Sequence, residues 1–579
     1  MALEPTFNLI EEPWIPCVAL DGSARELGLL QVLERAREMR EVHADSPPKT
    51  VALHRLLLAV LQRAWEGESE DERAEEWEAW WTSGLPIERI HKYLQENASA
   101  FDLCNPARPF YQTAGLEVEG VAHAEAASIV GLELRQKNNP TLFDHSLESS
   151  PPPYTLAQAA RALLMAQSYV VGGTGSRNAI VNGRVLATPS NFEQGNLIKG
   201  VAVWLAGDSL FETLMLNLVP DPAAPGDRPI WERSPDDQLA LSTSYRPRVK
   251  PPSGILDRLT WQSRMIRLLF EPLHPHEESG ASPLVVRRAL VAQGRSSSEE
   301  GHPDEEMKAY KRSLKSGLVP VALNSDRAAW RDSHALLSMR EGDKRPAAVR
   351  WVAQHLPAFK GDDSLLPRDR ALRLHVAGLV ADKAKIMLWR HDRMPAPIEL
   401  LADADLVATI ESANEDARWL AEEMLERMKR VCRLFLAPGC ESSEGRKPHA
   451  GDVSKLADQL DPRRAYWPRL EAHFHQFLHA LPHDRAGALE AWRDKVQREA
   501  ARCFNESTRA LGTSPRTIQA VAHVSAGFLV QSRLAAAAAA KSNASSKRKG
   551  STSTSPGASG PDASTSSTST PDGPGEVTK

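Results

Sequence analysis

Between Pro397 and Ala538 apolar residues recur every three or four positions, and no other property of this 579-residue chain limits its fold so tightly. One stripe runs through Ala417, Leu420, Ala421, Met424, Met428, Val431 and Phe435. A second runs through Leu489, Trp492, Val496, Ala500 and Cys503. Pro468–Leu481 carries Leu470, Phe474, Phe477 and Leu478, and Ser514-Pro515 opens a further run containing Ile518, Val521, Ala522, Phe528 and Leu529. Such spacing puts the apolar side chains of a helix on one face, which must be buried against a partner. Modest connections between the runs predict a four-helix bundle over residues 398–538. Its Met and aromatic positions read as core.

The rest of the chain follows other rules. Residues 1–397 mix short strand-like runs, such as Phe7–Ile10 and Trp14–Val18, with helical periods such as Lys49–Trp65. They predict one large mixed α/β domain, so the fold class is α+β. Glu66–Glu78 reads as a solvated helix face. Within the domain, residues 280–306 are polar and irregular and read as a flexible insertion. Residues 539–579 are rich in Ser, Thr, Gly and Pro, with Val577 the one large aliphatic residue after Lys541. They cannot bury enough apolar surface to fold, and read as a disordered tail.

Charge narrows the function. Seventy basic and 75 acidic residues give a formal net charge of −5. A protein that coats nucleic acid by bulk charge is basic, so any such contact here must come from local patches. Five scattered cysteines form no CxxC pair, which argues against a disulfide framework or a structural zinc site. With no signal peptide and no membrane-length apolar run, the chain reads as cytoplasmic.

Several segments could carry function. Val171-Gly172-Gly173-Thr174-Gly175-Ser176-Arg177 follows the helical run Leu156–Tyr169. Its glycines let backbone approach a ligand, and Ser176 and Arg177 can meet phosphate. It is neither a Walker loop nor GxGxxG, and the residues alone leave an ordinary glycine turn open. Met307–Lys315 holds Lys308, Lys311, Arg312 and Lys315 with Tyr310 and no acid, a mix suited to facing phosphates or to a plain basic surface. Alternation at Leu372, Leu374 and Val376, then at Ile386 and Leu388, predicts a β-hairpin whose tip is Ala381-Asp382-Lys383-Ala384. Arg135–Phe143 reads as a loop that docks on a partner or merely connects. Arg390-His391-Asp392 raises a competing possibility, a metal-dependent phosphohydrolase of the HD type, which needs further His and Asp ligands on one metal.

In this order the segments resemble the large subunit, CasA, of the type I-E CRISPR surveillance complex Cascade. The resemblance rests on Phe7-Asn8-Leu9-Ile10 with Pro13-Trp14-Ile15-Pro16, on Phe101-Asp102-Leu103, and on Arg108–Thr113. It continues through the glycine loop, Leu259–Arg264, Arg390-His391-Asp392 and the helical region, covering about residues 5–535. It implies a non-catalytic, cofactor-free subunit of an RNA-guided antiviral complex. That subunit would read the protospacer-adjacent motif (PAM) on double-stranded DNA, help start unwinding, and give a docking surface to a helicase–nuclease. Its partners would be the other Cascade subunits and the 5′ end of the guide RNA. The family's glycine loop falls on Gly172, Gly173 and Gly175, beside Arg177. A minor groove roughly 6 Å wide admits bare backbone readily. The PAM-contacting lysine falls on Lys311 or Arg312, and the wedge on Asp382 and Lys383, where the family pattern has Asn and Gln. An anchoring loop toward the guide end falls on Lys137, Asn138, Asn139 and Phe143. Where some relatives pair cysteines, this chain has His145 and Ser146, so no metal is expected.

Overall fold

A computed structural model describes residues 5–118, 125–127, 130–131, 150–174, 178–186, 191–192, 194–222, 224–234, 251–274, 282–295, 305–355, 371–382, 385–443 and 445–525. The elements that position the candidate site are, in chain order, helices α1 (Pro47–Arg63) and α2 (Leu156–Tyr169), then strands β1 (Val201–Ala206), β2 (Arg264–Pro272), β3 (Leu284–Gln293), β4 (Tyr310–Ser313), β5 (Gly317–Pro320), β6 (Ala371–Asp382) and β7 (Lys385–Pro397). Helices α3 (Ala404–Leu436), α4 (Ala450–Gln459), α5 (Arg463–Ala480), α6 (Arg485–Arg509) and α7 (Pro515–Ser525) follow. Mixed strands and helices followed by a helical C-terminal region are the α+β arrangement that the hydrophobic periods predict.

The chain gathers into two compact units, Met1–Leu425 with Pro462–Cys503, and Glu426–Asp461 with Phe504–Lys579. The break lies within the helical region and not at residue 397, where the hydrophobic period changes. Packing explains the difference: Trp330, far upstream of that boundary, is buried with its ring 4.7 Å from Phe474 and edge-on to Trp492 at 6.3 Å.

In the first unit, two of the sequence motifs hold each other. Asn8 bridges Asp102, Leu9 N donates to Phe101 O at 3.0 Å, and Leu103 N donates to Phe7 O at 3.0 Å. Trp14 is buried and its Nε1 donates to Leu9 O at 2.8 Å. The central sheet has the order β1–β6–β7, antiparallel throughout. β6 pairs with β1 from Arg373↔Ala206 to Gly378↔Val201, and with β7 from Ala371↔Pro397 to Asp382↔Lys385. Every residue of β1 is buried, so the alternation expected of a half-exposed strand is replaced by the continuous apolar run Val-Ala-Val-Trp-Leu-Ala. α1 and α2 meet this sheet where Val51, Met165, Tyr169, Ala202, Trp204 and Ala377 share a core. α2 begins at a capping box, with Thr155 accepting from Gln158 N and Gln158 reaching back to Thr155 N.

One expectation is overturned. Leu284–Gln293, inside the stretch read as a flexible insertion, is a strand paired with β2 from Arg264↔Gln293 to Pro272↔Leu284. The Ser- and Glu-rich flanks masked the apolar residues Leu284, Val285, Val286, Leu290, Val291 and Ala292 between them.

Over the described residues the helices form as the stripes predict, with α4 in addition and with α5 starting at Arg463, ahead of Pro468, while Phe528 and Leu529 of the last stripe lie outside the described residues. Tyr466 OH donates to Ala417 O at 3.1 Å and Trp492 Nε1 to Ala413 O at 3.0 Å, both from buried rings. Trp492→Phe removes that donor and is expected to cost about 1 kcal/mol, read from the shift in the urea unfolding midpoint. In the second unit Glu441 accepts from both Arg430 and His523, and Arg516 Nη2 donates to Leu436 O at 2.7 Å. No described helix is long and apolar enough to cross a membrane.

Candidate nucleic-acid interface

The basic segment is a short antiparallel hairpin. β4 pairs with β5 through Tyr310↔Pro320, Lys311↔Val319, Arg312↔Leu318 and Ser313↔Gly317. Gly317 closes the turn at φ +66, a left-handed conformation that costs glycine nothing. The base is anchored: buried Tyr310 exchanges backbone hydrogen bonds of 2.7 and 2.9 Å with Lys344, and Val321 N donates to Ala309 O at 2.8 Å. Arg312 N donates to Asp343 Oδ1 at 2.7 Å. Lys311, Arg312 and Lys315 are exposed. Lys311 also lines a cavity of about 410 Å³ with Arg327, Arg418, Asp332 and Asp343.

Lys308 does not belong with them. It is buried, its Nζ donates to Asn196 O, and burial lowers its pKa to about 8 although Glu305 opposes the shift. The four-cation run therefore presents three cations outward. Nearby, Arg55 grips Glu305 with both guanidinium Nη atoms, and Asn196 Nδ2 donates to Glu305 Oε2 at 3.2 Å. Burial raises the Glu306 carboxyl to about 7 against the pull of Arg258. This buried charge cluster holds the approach to β4, and nothing in the local sequence pattern marks it.

The glycine loop leaves α2 through buried Val170 and Val171. Gly173–Thr174 pairs with Asn191–Phe192, and Gly172 lies just before it. Gly175 and Arg177 lie outside the described residues. Two close approaches fix the root of the loop. Gly195 N donates to Val170 O at 2.8 Å, and a Cβ at Gly195 would fall 2.5 Å from Ser168 O. Fully buried Arg264, from the Leu259–Arg264 motif, donates to Val171 O at 3.3 Å, and Ser263 Oγ donates to Gln167 O at 2.6 Å. That motif is thus scaffold behind the loop.

The tip of the β6–β7 hairpin has Asp382 opposite Lys385, while Lys383 lies outside the described residues. So do Lys137, Asn138, Asn139 and Phe143. Below the tip, Leu379, Ile386 and Trp389 pack with Val171 and Ile198. Trp389 also meets Tyr169 edge-on at 5.8 Å and packs against the cluster that includes Met307. The roots of the glycine loop, the basic hairpin and the polar-tipped hairpin therefore share contiguous apolar cores.

His391 and Asp392 are adjacent on β7, so they point to opposite faces. His391 Nε2 lies 3.1 Å from His375 Nδ1 beside Trp204, whereas Asp392 Oδ2 accepts from Ala329 N at 2.7 Å. The pair does not converge on one metal, and among the described residues no three His, Cys, Asp or Glu side chains are placed to hold one. Instead His54, His375 and His391 surround Trp204 at a cavity of about 130 Å³. Burial is the largest cause in each, lowering His54 and His391 to about 4 and His375 to about 2, with neighbouring cationic groups adding to it.

Comparison with known proteins finds similarity over most of the chain. The family model described as CRISPR-associated protein Cse1 matches residues 8–503. The CasA/Cse1 protein of Thermus thermophilus is 34% identical over 522 residues, covering 89% of this chain and 95% of its own length. A crystal structure of Thermus thermophilus CasA superposes with a TM-score of 0.71 at 29% identity, covering 90% of this chain and 98% of that one. A chain solved within a CRISPR RNA-guided surveillance complex shares the fold, with a TM-score of 0.66 at 22% identity, covering 90% of this chain and 99% of that one. With a profile spanning most of its length and a relative at this identity, the chain belongs to the CRISPR-associated Cse1 (CasA) family.

Proposed function

We propose that this chain is the non-catalytic DNA-reading subunit of an RNA-guided antiviral complex. It recognises the PAM on duplex DNA through the loop at Gly172, Gly173 and Gly175 with Arg177, and through Lys311 or Arg312. The β6–β7 hairpin tip at Asp382 and Lys383 helps to open the strands. The loop at Lys137, Asn138, Asn139 and Phe143 faces the guide-RNA end. The chain gives the helicase–nuclease a docking surface. Likeness to a chain of a surveillance complex supports the assembly, and membership of the Cse1 family supports the class.

The observation that carries the reading is the shared footing of the three DNA-directed segments around Tyr169, Val171 and Trp389. Segments far apart in sequence are rooted on one rigid support, as a composite reading surface requires. The chain's net charge of −5 fits local recognition with guide pairing supplying the sequence information.

Target binding by the reconstituted complex across a salt series tests the reading. Removing one phosphate contact is expected to lower affinity uniformly and to reduce the log–log salt slope by about one. We expect that result for one of Lys311→Ala and Arg312→Ala, with assembly intact. Unchanged affinity and slope in both variants would remove the basic hairpin from the interface.

A further inference from the structure

The apex of the β4–β5 hairpin carries a feature that phosphate binding does not explain. Leu314 is the most exposed large hydrophobic residue among those described, at 104% relative accessibility, and Leu318 on the facing strand is exposed at 45%. A lone exposed leucine is ordinary. This one stands at the tip of a three-residue turn, Leu314-Lys315-Ser316, held by the Ser313↔Gly317 pair and the left-handed Gly317. Lys311 and Arg312 precede it and Lys315 follows. Arg312 and Leu318 are directly opposite across the strands and so share one face. No acidic residue occurs between Glu306 and Asp326. The result is an apolar point with cations on both sides, mounted on a strand clamped at Tyr310 to Lys344.

That pattern complements one surface in particular. A duplex groove presents a floor of base edges and walls of sugar between two rows of phosphate. Proteins that enter the minor groove combine basic side chains with an apolar residue, Leu among them, pushed against or between base steps. We propose that Leu314 is an apolar wedge that enters the groove of the target duplex while Arg312 and Lys315 hold the flanking phosphates. An acidic protein surface would satisfy the cations but offers no reason for leucine at the apex. The proposal rests on the DNA-reading assignment above and adds a residue with a role of its own, since Leu314 supplies contact and local unstacking, not charge.

The experiment uses the whole complex, assembled with full-length chain and guide RNA, and a duplex carrying 2-aminopurine beside the PAM. Leu314→Ser is expected to weaken target binding about tenfold, the order expected for losing one buried leucine contact. The salt slope should stay that of the parent, and the fluorescence rise that reports unstacking should shrink. Leu314→Phe should retain both signals. If Leu314→Ser matches the parent while Lys311→Ala or Arg312→Ala weakens binding, the wedge is overturned and the DNA-reading assignment stands. If none of the three variants alters binding, the basic hairpin leaves the interface and the wedge falls with it. If Leu314→Ser instead prevents the chain from joining the other subunits before DNA is added, the leucine belongs to a protein contact and the wedge is overturned.

Discussion

Glu305→Gln is expected to cost about 3–5 kcal/mol of folding stability, the range seen when one partner of a buried ion pair is removed. Glu305 is buried and takes both Nη atoms of Arg55, which is itself buried. It also accepts from Asn196, whose carbonyl takes the Lys308 ammonium. The amide keeps the shape but not the charge, so Arg55 loses its directly paired carboxylate and keeps only the more weakly acting Glu306. Lys308 loses the neighbour that holds its pKa up to about 8 and gives up its proton more readily. Arg55 Nε already lacks a hydrogen-bond partner, so the guanidinium is incompletely paired even with Glu305 in place. The double variant Arg55→Met with Glu305→Leu should recover most of the loss, because apolar residues of similar volume replace such pairs at little cost. Urea unfolding of the parent, single and double variants measures this. A loss below about 1 kcal/mol for Glu305→Gln would show that the cluster is not a buried charge hub.

The second large effect is with pH. The folded-state pKa values of His54, His375 and His391 lie below the ordinary value of 6.5, so the folded chain holds these rings neutral where an unfolded chain protonates them. Their contribution is fully present above pH 6.5. It is lost as pH falls from there toward about 4, the folded value for His54 and His391. At pH 5 the single ring of His54 is expected to cost about 2 kcal/mol, from roughly 1.4 kcal/mol per pKa unit. Protonation there faces Arg40, Arg373 and Arg393, and among the described residues lining the cavity only Glu41, already paired with Arg393, offers a carboxylate. Thermal midpoints at pH 7.5 and 5 should fall for the parent and fall less for His54→Gln. Equal slopes for the two proteins would remove His54 from the acid response.

What the sequence makes legible here is what leaves a local pattern. Period-two alternation at Leu372, Leu374 and Val376 locates β6, and the stripe from Ala417 to Val431 locates α3. Buried charge leaves none. Arg55 and Glu305 stand 250 residues apart, and each looks like any solvated residue until the fold joins them. Lys308 sits in a run of cations yet faces inward, because Ala309 and Tyr310 must be buried to anchor the hairpin, and the chain before them turns under Asn196. The HD dipeptide fails for the opposite reason: it matches a motif in letters, but an extended strand sends its two side chains to opposite faces.

The β6–β7 pair also behaves as a cantilever. β1 clamps β6 only as far as Gly378, and Val171 and Ile198 press on Leu379 just beyond. From Val380 to Asp382 the strand continues with β7 as its one ladder partner among the described residues, past the irregularity between Val380 and Ala381. A load applied along that stretch is carried through the β7 ladder to Leu379, where packing against Val171 and Ile198 takes it up. Val171 sits at that fulcrum and leads directly into the glycine loop, so a load on the hairpin tip and a load on the loop bear on the same pivot.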